Sequence, residues 1–392
     1  MDIANIQQGK GICILDPHGD IVDHILHYIP HHRIQHVSYF NTTDTTYPLA
    51  YNPLRIASDT EHHLIASGLI ATFKKIWADS WGPRLEYILH FALLTLLEYG
   101  EATLLDIQPL LTDKAFREHV VARLQNGYVR KFWLNEFEKY PFPLRIEAIT
   151  PILNKTGLFI TNEPLRHIIG HRQSSFAIQE VLEDNKILLC NLSKGAIGEE
   201  ASSLLGSMLL SSLYFAALQR GAQPENTRAP FFVYVDEMHS FITLSFKDIL
   251  AEARKYGLGL FLTHQYLEQL PEKIRAAIIG NVGTLIAFRV GAEDAMYLRK
   301  EFHPVFDDAD LISLPSYSMY IKLMIDGTTS KPFSATTLPI PHSIVSYKAA
   351  IIEYSRARYA NHDDIEEKIE RVEAQTVHMK SEGEQKSLFE EL

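Results

Sequence analysis

The sequence predicts an α/β protein in which a mostly parallel sheet is divided along the chain by an all-helical insertion. Three observations support this prediction. Short apolar runs typical of buried strands occur near the start of the chain. Similar runs alternate with helical segments after residue 176, as they do in parallel sheets. Between these regions, residues 58–170 show only the periodicity of helices.

The first predicted strand is the apolar run at residues 11–15, and the polar turn at residues 16–20, Asp-Pro-His-Gly-Asp, ends it. A second strand is predicted near residues 36–40. The insertion has the spacing of amphipathic helices in four clear segments. They are residues 84–99, 104–111, 115–126 and 129–139.

After the insertion, strands and helices alternate. The predicted strands are residues 186–192, 231–235, 258–263 and 284–289. The predicted helices are residues 199–220, 246–256, 267–279 and 293–302. Two more strands, near residues 317–325 and 333–337, are expected to complete an edge of the sheet. Residues 363–392 are acidic and poor in aromatic residues, which predicts a frayed tail.

These elements divide the chain into four parts. Residues 1–57 and 176–341 are the two portions of the sheet domain, and residues 58–175 are the helical domain. Residues 342–392 are a charged helical or disordered tail. A chain of 392 residues with 46% hydrophobic content is long enough for one large core with such an insertion.

Composition restricts the environment of the protein and its partners. The net charge of −11 argues against a globally basic nucleic-acid coat and leaves a local basic channel open. Cys13 and Cys190 both lie in apolar runs, which predicts core thiols rather than a disulfide framework. With no secretory signal at the start of the chain, we predict a cytoplasmic protein. The apolar residues 201–218 include several serines and are interpreted as a buried helix.

The strongest chemical motif is the run Ala-Pro-Phe-Phe-Val-Tyr-Val-Asp-Glu at residues 229–237. An apolar strand of this kind carries its terminal acid pair to the carboxyl edge of a sheet, where nucleotide sites form. Asp236 is suited to holding the water shell of Mg²⁺, and Glu237 is suited to polarising an attacking water. The run therefore has the pattern of a Walker B strand.

The other half of such a site has no counterpart in the sequence. None of the 392 residues forms the GxxxxGK(S/T) loop that cradles nucleotide phosphates, and Gln8-Gly9-Lys10-Gly11 lacks its upstream glycine and its hydroxyl residue. Without this loop, the chain by itself carries half of a nucleotide site.

Six ordered segments resemble the HerA/FtsK-like P-loop motors and, within them, the TraG/TraD coupling proteins of type IV secretion and conjugation. The resemblance spans nearly all of residues 1–340. The segments are GKGICILDPHGD (9–20), the run into YNPL (51–54), NLSKGAIG (191–198), APFFVYVDEMHSF (229–241), EARKYGLGLFLTHQYLEQL (252–270) and GNVGTLIAFRVGAEDA (280–295).

The resemblance implies a RecA-like P-loop NTPase core with an inserted all-α domain, which uses ATP and Mg²⁺ to move DNA or nucleoprotein. A cytoplasmic HerA-like translocase in repair or defence is the close alternative. A non-catalytic binding module is the alternative from another class, supported by the missing phosphate loop. The resemblance also implies a phosphate loop just upstream of Met1. We therefore expect a start called at an internal methionine, in preference to a broken gene or a natural ATPase-dead relative, and this chain alone is expected to be inactive.

The resemblance also suggests roles for individual residues. Asp16 and Asp20 would lie beside the nucleotide, against the alternative of a turn with a helix cap. Gln265 would sense the γ-phosphate, against the alternative of a polar residue at a helix start. Arg289 would reach across a subunit interface, against the alternative of a salt bridge to Glu293 or Asp294.

The partners implied by the resemblance are DNA bound without sequence preference and further copies of the chain in a hexameric ring. Lys247, Arg254 and Lys255 would face DNA in the channel, against the alternative of a solvated helix face. The helical domain would receive a relaxase or another secretion component. A membrane anchor upstream of Met1 would place the full-length form at the inner face of the plasma membrane.

Overall fold

A computed structural model of the chain describes residues 2–55, 62–244, 246–325, 327–340 and 345–360. Its centre is a five-stranded parallel sheet in the order β2-β3-β1-β4-β5. The strands are β1 (Gly11–Asp16), β2 (Val37–Asn41), β3 (Ile187–Asn191), β4 (Phe231–Val235) and β5 (Leu258–Leu262). The helical insertion separates β2 from β3 along the chain, as the sequence predicted. The proposed tail segment, residues 363–392, lies outside the described residues.

The middle of the sheet is covered on both faces. Every residue of β1 is buried, because this strand has neighbours on both sides and helices above and below it. Cys13 and Cys190 are buried free thiols on the neighbouring strands β1 and β3. The sheet therefore explains the near-continuous apolar runs that identified its strands.

One face of the sheet is covered by helices from both ends of the chain. These are α1 (Asp2–Gln7), α2 (Asp20–Ile25) and α17 (Lys348–Tyr359). In α17, Ile351 is fully buried, and the Ser355 hydroxyl accepts a hydrogen bond from the Tyr39 N–H of β2 at 2.9 Å. Residues 345–360, the described part of the predicted tail (residues 342–392), therefore pack against the parallel sheet.

The other face is covered by α12 (Glu199–Gln219), beside α10 (Ile178–Glu183) and α11 (Lys194–Ile197). Within the described residues, the stretch Glu199–Ala222 alone is long and apolar enough to cross a membrane, and 72% of its most apolar window is buried in the protein. At Gly206 an added Cβ would lie 2.2 Å from the Phe241 ring. This close approach seats the segment that follows β4 directly on α12.

From residue 62, where its description starts, the insertion is a helical block with seven α-helices before α10, the helix that precedes β3, and it shares the core of α12. They are α3 (His62–Ile76), α4 (Pro83–Tyr99), α5 (Ile107–Thr112), α6 (Lys114–Ala122), α7 (Gly127–Lys131), α8 (Phe142–Thr161) and α9 (Glu163–Ile169). Phe132 and Trp133 are buried, and the Trp133 indole donates to the Thr95 hydroxyl at 2.7 Å. These aromatic side chains belong to the core of the block.

The strands after β5 do not extend the parallel sheet, and this part of the prediction was wrong. β6 (Leu285–Ala287), β7 (Ser318–Lys322) and β10 (Phe333–Thr336) form a separate antiparallel sheet in the order β10-β7-β6. A short hairpin of β8 (Met324–Ile325) and β9 (Thr328–Thr329) follows β7. The antiparallel sheet packs on α15 (Ala292–Phe302) and α16 (Asp308–Ser313) to form its own small core. Periodicity identifies strands but does not select their partners.

The segment after β4 contains α13 (Phe246–Glu252), which continues as a short 3₁₀ helix, Ala253–Tyr256. The helix predicted at residues 267–279 is interrupted. A 3₁₀ turn, Leu267–Gln269, ends before Pro271, and α14 (Glu272–Asn281) starts after it. Proline has no backbone N–H and a fixed φ, so it starts a helix more readily than it continues one.

Candidate functional site

Polar side chains meet where the central strands of the parallel sheet end. Asp16 ends β1, Asn191 ends β3 and Asp236 follows β4. Thr263 follows β5, and its N–H bonds to the Val235 carbonyl at 3.0 Å. Since all these strands are parallel, their carboxyl ends lie on one edge of the sheet, which is where ligands bind in open α/β folds.

Asp16 organises the turn after β1. The side chain is fully buried, and its carboxylate accepts the N–H groups of His18, Gly19 and Val22 at 2.8–3.0 Å. Gly19 has φ of 92°, and a Cβ there would lie 2.5 Å from the Asn191 side chain. This geometry matches the turn interpretation of Asp16. At the tip of the turn, the His18 side chain contacts Glu237, which follows β4.

Asp236 is half-buried and is fixed by the strand beside it. The Thr263 hydroxyl donates to Asp236 Oδ1 at 2.6 Å, and the Asp236 N–H bonds to the Leu15 carbonyl at 3.0 Å. The backbone of Asp236 is thus bonded to β1, and its carboxylate is bonded to Thr263 through one of its two oxygens. The side chain is therefore pre-oriented, with acceptor capacity left for a cation or its water.

Glu237 is the centre of the site. It has a left-handed backbone, with φ of 44° and ψ of 56°, which turns the chain sharply after the strand. Its carboxylate contacts Lys194 Nζ at 2.9 Å, His18 Nε2 at 3.0 Å and Gln265 Nε2 at 3.2 Å. Burial raises the pKa of Glu237, but the hydrogen bonds from Lys194 and His18 outweigh it and hold this pKa below the ordinary value. The carboxylate is therefore ionised and held from three sides.

The structure brings together three of the predicted residues and adds two that sequence reasoning missed. Asp236, Glu237 and Gln265 share one hydrogen-bonded cluster with Thr263. Lys194 and His18 join it from the loops after β3 and β1. Both additions lie in segments that carried the family resemblance, NLSKGAIG and DPHGD, and this was the available signal.

The fold was compared with solved structures. No protein-family model matches the sequence, and no curated protein matches it. The unbound bacterial conjugative coupling protein TrwBdeltaN70 matches with 14% identity over 87% of this chain and 80% of that chain, at a TM-score of 0.62. The plasmid coupling protein TrwB in complex with ADP and Mg²⁺ matches with 14% identity over 89% and 83%, at a TM-score of 0.63. VirB4 of Thermoanaerobacter pseudethanolicus matches with 14% identity over 86% and 83%, at 0.55.

The chain has the fold of the coupling protein TrwB. The predicted fold class, α/β with a RecA-like core, a mostly parallel sheet and an inserted all-α domain, is thereby confirmed. The similarity covers most of both chains, so it includes the helical block as well as the sheet.

Two predicted residues are not part of the hydrogen-bonded cluster in this TrwB-like fold. Asp20 is exposed at the first position of α2 and makes none of the turn contacts of Asp16. Arg289 is exposed and follows β6, the edge strand of the antiparallel sheet, by two residues. Within the described ranges it forms no ion pair with Glu293 or Asp294, and Asp294 instead accepts the Leu267 N–H. The intramolecular alternative for Arg289 is therefore absent from the described structure.

The predicted basic residues lie on α13 and its 3₁₀ extension. Lys247, Arg254 and Lys255 are all exposed. Arg254 and Lys255 precede β5, so they lie at the amino end of the sheet, about 16 Å or one strand length from the acid pair. Arg228 joins them there through a hydrogen bond to the Lys255 carbonyl. The acid pair and the cluster of Arg254, Lys255 and Arg228 therefore lie at opposite ends of the parallel strands.

Proposed function

We propose that this chain is the catalytic and translocating part of an ATP-driven motor of the type IV secretion coupling kind, which moves DNA or nucleoprotein. The observation that carries the proposal is the cluster at the carboxyl end of β4. There Asp236 is oriented by Thr263, and Glu237 is held by Lys194, His18 and Gln265. The fold of TrwB, which has been solved with ADP and Mg²⁺, supports the same assignment.

The residues present fit a magnesium nucleotide. Mg²⁺ prefers carboxylate and water oxygens, and Asp236 offers an oriented carboxylate with one oxygen that receives no hydrogen bond among the described contacts. When bound, the ion would neutralise charge on the phosphates. Glu237 would orient or deprotonate the attacking water, and its ionised state suits that role. Gln265, bonded to Glu237, would report phosphate release to β5.

The phosphate loop of this motor would come from outside these 392 residues, from the same polypeptide or another chain. The fold offers a place for it. β5 pairs only with β4 among the described strands, so its other edge is open beside Thr263 and Gln265. A strand that pairs with this edge would deliver its following loop to the acid pair.

The remaining proposals concern DNA, neighbouring copies of the chain and a secretion partner. DNA phosphates would contact Lys247, Arg254 and Lys255 without sequence preference, so binding would weaken steeply with salt. Copies of the chain would form a hexameric ring, in which Arg289 would reach across the subunit interface into the nucleotide site of the neighbouring copy. The helical block would receive a relaxase or another secretion component. Each of these is a proposal about the assembled motor.

The test uses the protein isolated from its own cells, at whatever length the cells make it. ATP hydrolysis is measured with and without DNA for the wild type, Glu237→Gln and the control Glu118→Gln, whose side chain is 64% exposed in the helical block. We expect Glu237→Gln to lose about 100-fold or more in kcat and the control to lose nothing. Equal rates in all three proteins would refute the proposal.

A non-catalytic binding module is the second candidate, because the sequence has no GxxxxGK(S/T) loop. The same measurement separates the two. If the protein from its own cells neither binds nor hydrolyses ATP, the binding module replaces the motor.

A further inference from the structure

Lys75 connects the helical block to the loop that carries Glu237. It lies in the last turn of α3, and its ammonium donates a hydrogen bond to the Ser240 carbonyl. Ser240 ends the 3₁₀ turn Met238–Ser240, for which Glu237 is the N-cap. The block therefore contacts the site three residues from its central carboxylate.

The ammonium of Lys75 has no counter-ion in the described part of the chain. Burial and the neighbouring positive charge of Lys194 both lower the pKa of Lys75, to about 7, and no carboxylate acts in the opposite direction. Buried cations are ordinarily paired with an acid. A buried ammonium whose described partner is a carbonyl is suited to an anion that arrives from outside.

His239 directly precedes Ser240 in the same 3₁₀ turn, Met238–Ser240. Burial lowers the pKa of His239, the charges of Lys194 and Lys75 lower it further, and the carboxylates of Glu237 and Glu199 act in the opposite direction. The buried Nδ1 atom of His239 has no hydrogen-bond partner in the described structure. A buried polar atom without a partner is costly, and a bound ligand would relieve that cost.

A purely structural role explains these features less well. If Lys75 only anchored Ser240, a neutral donor would do so without the cost of a desolvated charge. The adjacent Lys74 shows the ordinary arrangement, since its exposed ammonium pairs with Glu86 at 2.9 Å. The two neighbouring lysines differ in that only Lys75 is directed at the site and lacks an acid.

We propose that Lys75, Lys194 and His239 form a binding site for a phosphate group beside Glu237, to which the helical block contributes Lys75. Two ammonium groups and an imidazole lie around the turn Glu237–Ser240 and are donors of the kind that phosphate oxygens accept. The phosphate is either the terminal group of a nucleoside triphosphate or free inorganic phosphate. Only the first identity rests on the proposed function. In either case, a ligand here couples the helical block to Glu237.

The experiment measures binding of inorganic phosphate, Mg-ATP and ADP by calorimetry, at pH 6.5 and low salt. The proteins are the wild type, Lys75→Met, Lys194→Met and the control Lys74→Met. We expect phosphate affinity to fall at least tenfold in the first two variants and to stay within twofold in the control. A Lys75-dependent affinity for Mg-ATP, without one for ADP, identifies the terminal phosphate. Lys75 dependence for inorganic phosphate alone identifies the free ion.

A second measurement avoids dependence on variant folding. Acetylation of the wild-type protein by a limiting amine reagent is followed by mass spectrometry, and we expect phosphate to slow acetylation of Lys75 several-fold while leaving Lys74 unchanged. The proposal is overturned if neither phosphate nor Mg-ATP protects Lys75, or if Lys75→Met binds both as the wild type does. Phosphate binding without any ATP hydrolysis would remove the proposed function and leave this site in place.

Discussion

Replacing Lys75 with methionine is expected to stabilise the folded protein. Methionine keeps most of the length of the side chain and removes the charge. A pKa lowered from 10.5 to about 7 corresponds to about 4 kcal/mol of destabilisation at pH 7. Part of the Lys75 side chain reaches solvent, which screens its charge, so we expect the actual destabilisation to be about 2–4 kcal/mol. Loss of the bond to the Ser240 carbonyl subtracts about 1 kcal/mol, which leaves a net gain of about 1–3 kcal/mol.

The gain has a defined pH dependence. Because the pKa of Lys75 is lower in the folded state than in the unfolded state, the cost of its charge is complete below about pH 7. This cost is lost as the pH rises from 7 toward 10.5, since the folded protein then holds the neutral amine. The advantage of Lys75→Met is therefore expected to shrink by about 1–2 kcal/mol between pH 7 and pH 9.

The assay is urea unfolding of the wild type, Lys75→Met and Lys74→Met at pH 6.5, 7, 8 and 9, in a phosphate-free buffer so that no anion neutralises the lysine. Lys74→Met controls for loss of an exposed charge, because Lys74 is 52% exposed. Two results would show that Lys75 is not a buried ammonium without a counter-ion. One is a Lys75→Met variant that is less stable than the wild type, and the other is a difference in free energy of unfolding that does not change with pH.

Three further predictions follow from the packing and the surface charge. Asp16→Ala is expected to lower the free energy of unfolding by about 2–4 kcal/mol, because three N–H groups lose their acceptor. The control Asp20→Ala, at an exposed position, is expected to change it by no more than about 0.5 kcal/mol. Similar losses in both variants would contradict the turn assignment of Asp16. Gly206→Ala is expected to cost about 1–3 kcal/mol by calorimetric melting, since its Cβ would lie 2.2 Å from a phenylalanine ring; an unchanged Tm would show that α12 yields there. Arg254→Ala with Lys255→Ala is expected to weaken DNA binding and to lower its salt dependence by about two charges; an unchanged salt slope would remove this cluster from the DNA path.

The sequence was sufficient for the parallel sheet because each strand there is an apolar run bounded by turn residues. β4 has the predicted bounds, Phe231–Val235, and the helical insertion lies between β2 and β3 as expected. The Walker B pattern also placed Asp236 and Glu237 at the predicted edge, since a parallel strand fixes where its carboxyl end lies.

The rest depended on contacts between distant segments, which periodicity does not encode. β6 pairs with β7 in a second sheet, although the alternation of strands and helices favoured the first. Lys194, His18 and Lys75 reach the Glu237 loop from three separate elements. A lysine on a helix with an apolar face gives no sign in sequence that its ammonium is directed at a carbonyl of a distant segment.

The proposed role of Glu237 is in the hydrolysis of a bound nucleotide. The most direct measurement is the identity of the nucleotide that remains on the protein from its own cells after incubation with Mg-ATP, determined by chromatography after rapid quenching. We expect ADP on the wild type and unhydrolysed ATP on Glu237→Gln, because the variant keeps the fold and loses the carboxylate that orients the water. The same fraction of ADP on both proteins, or no nucleotide on either, would contradict it.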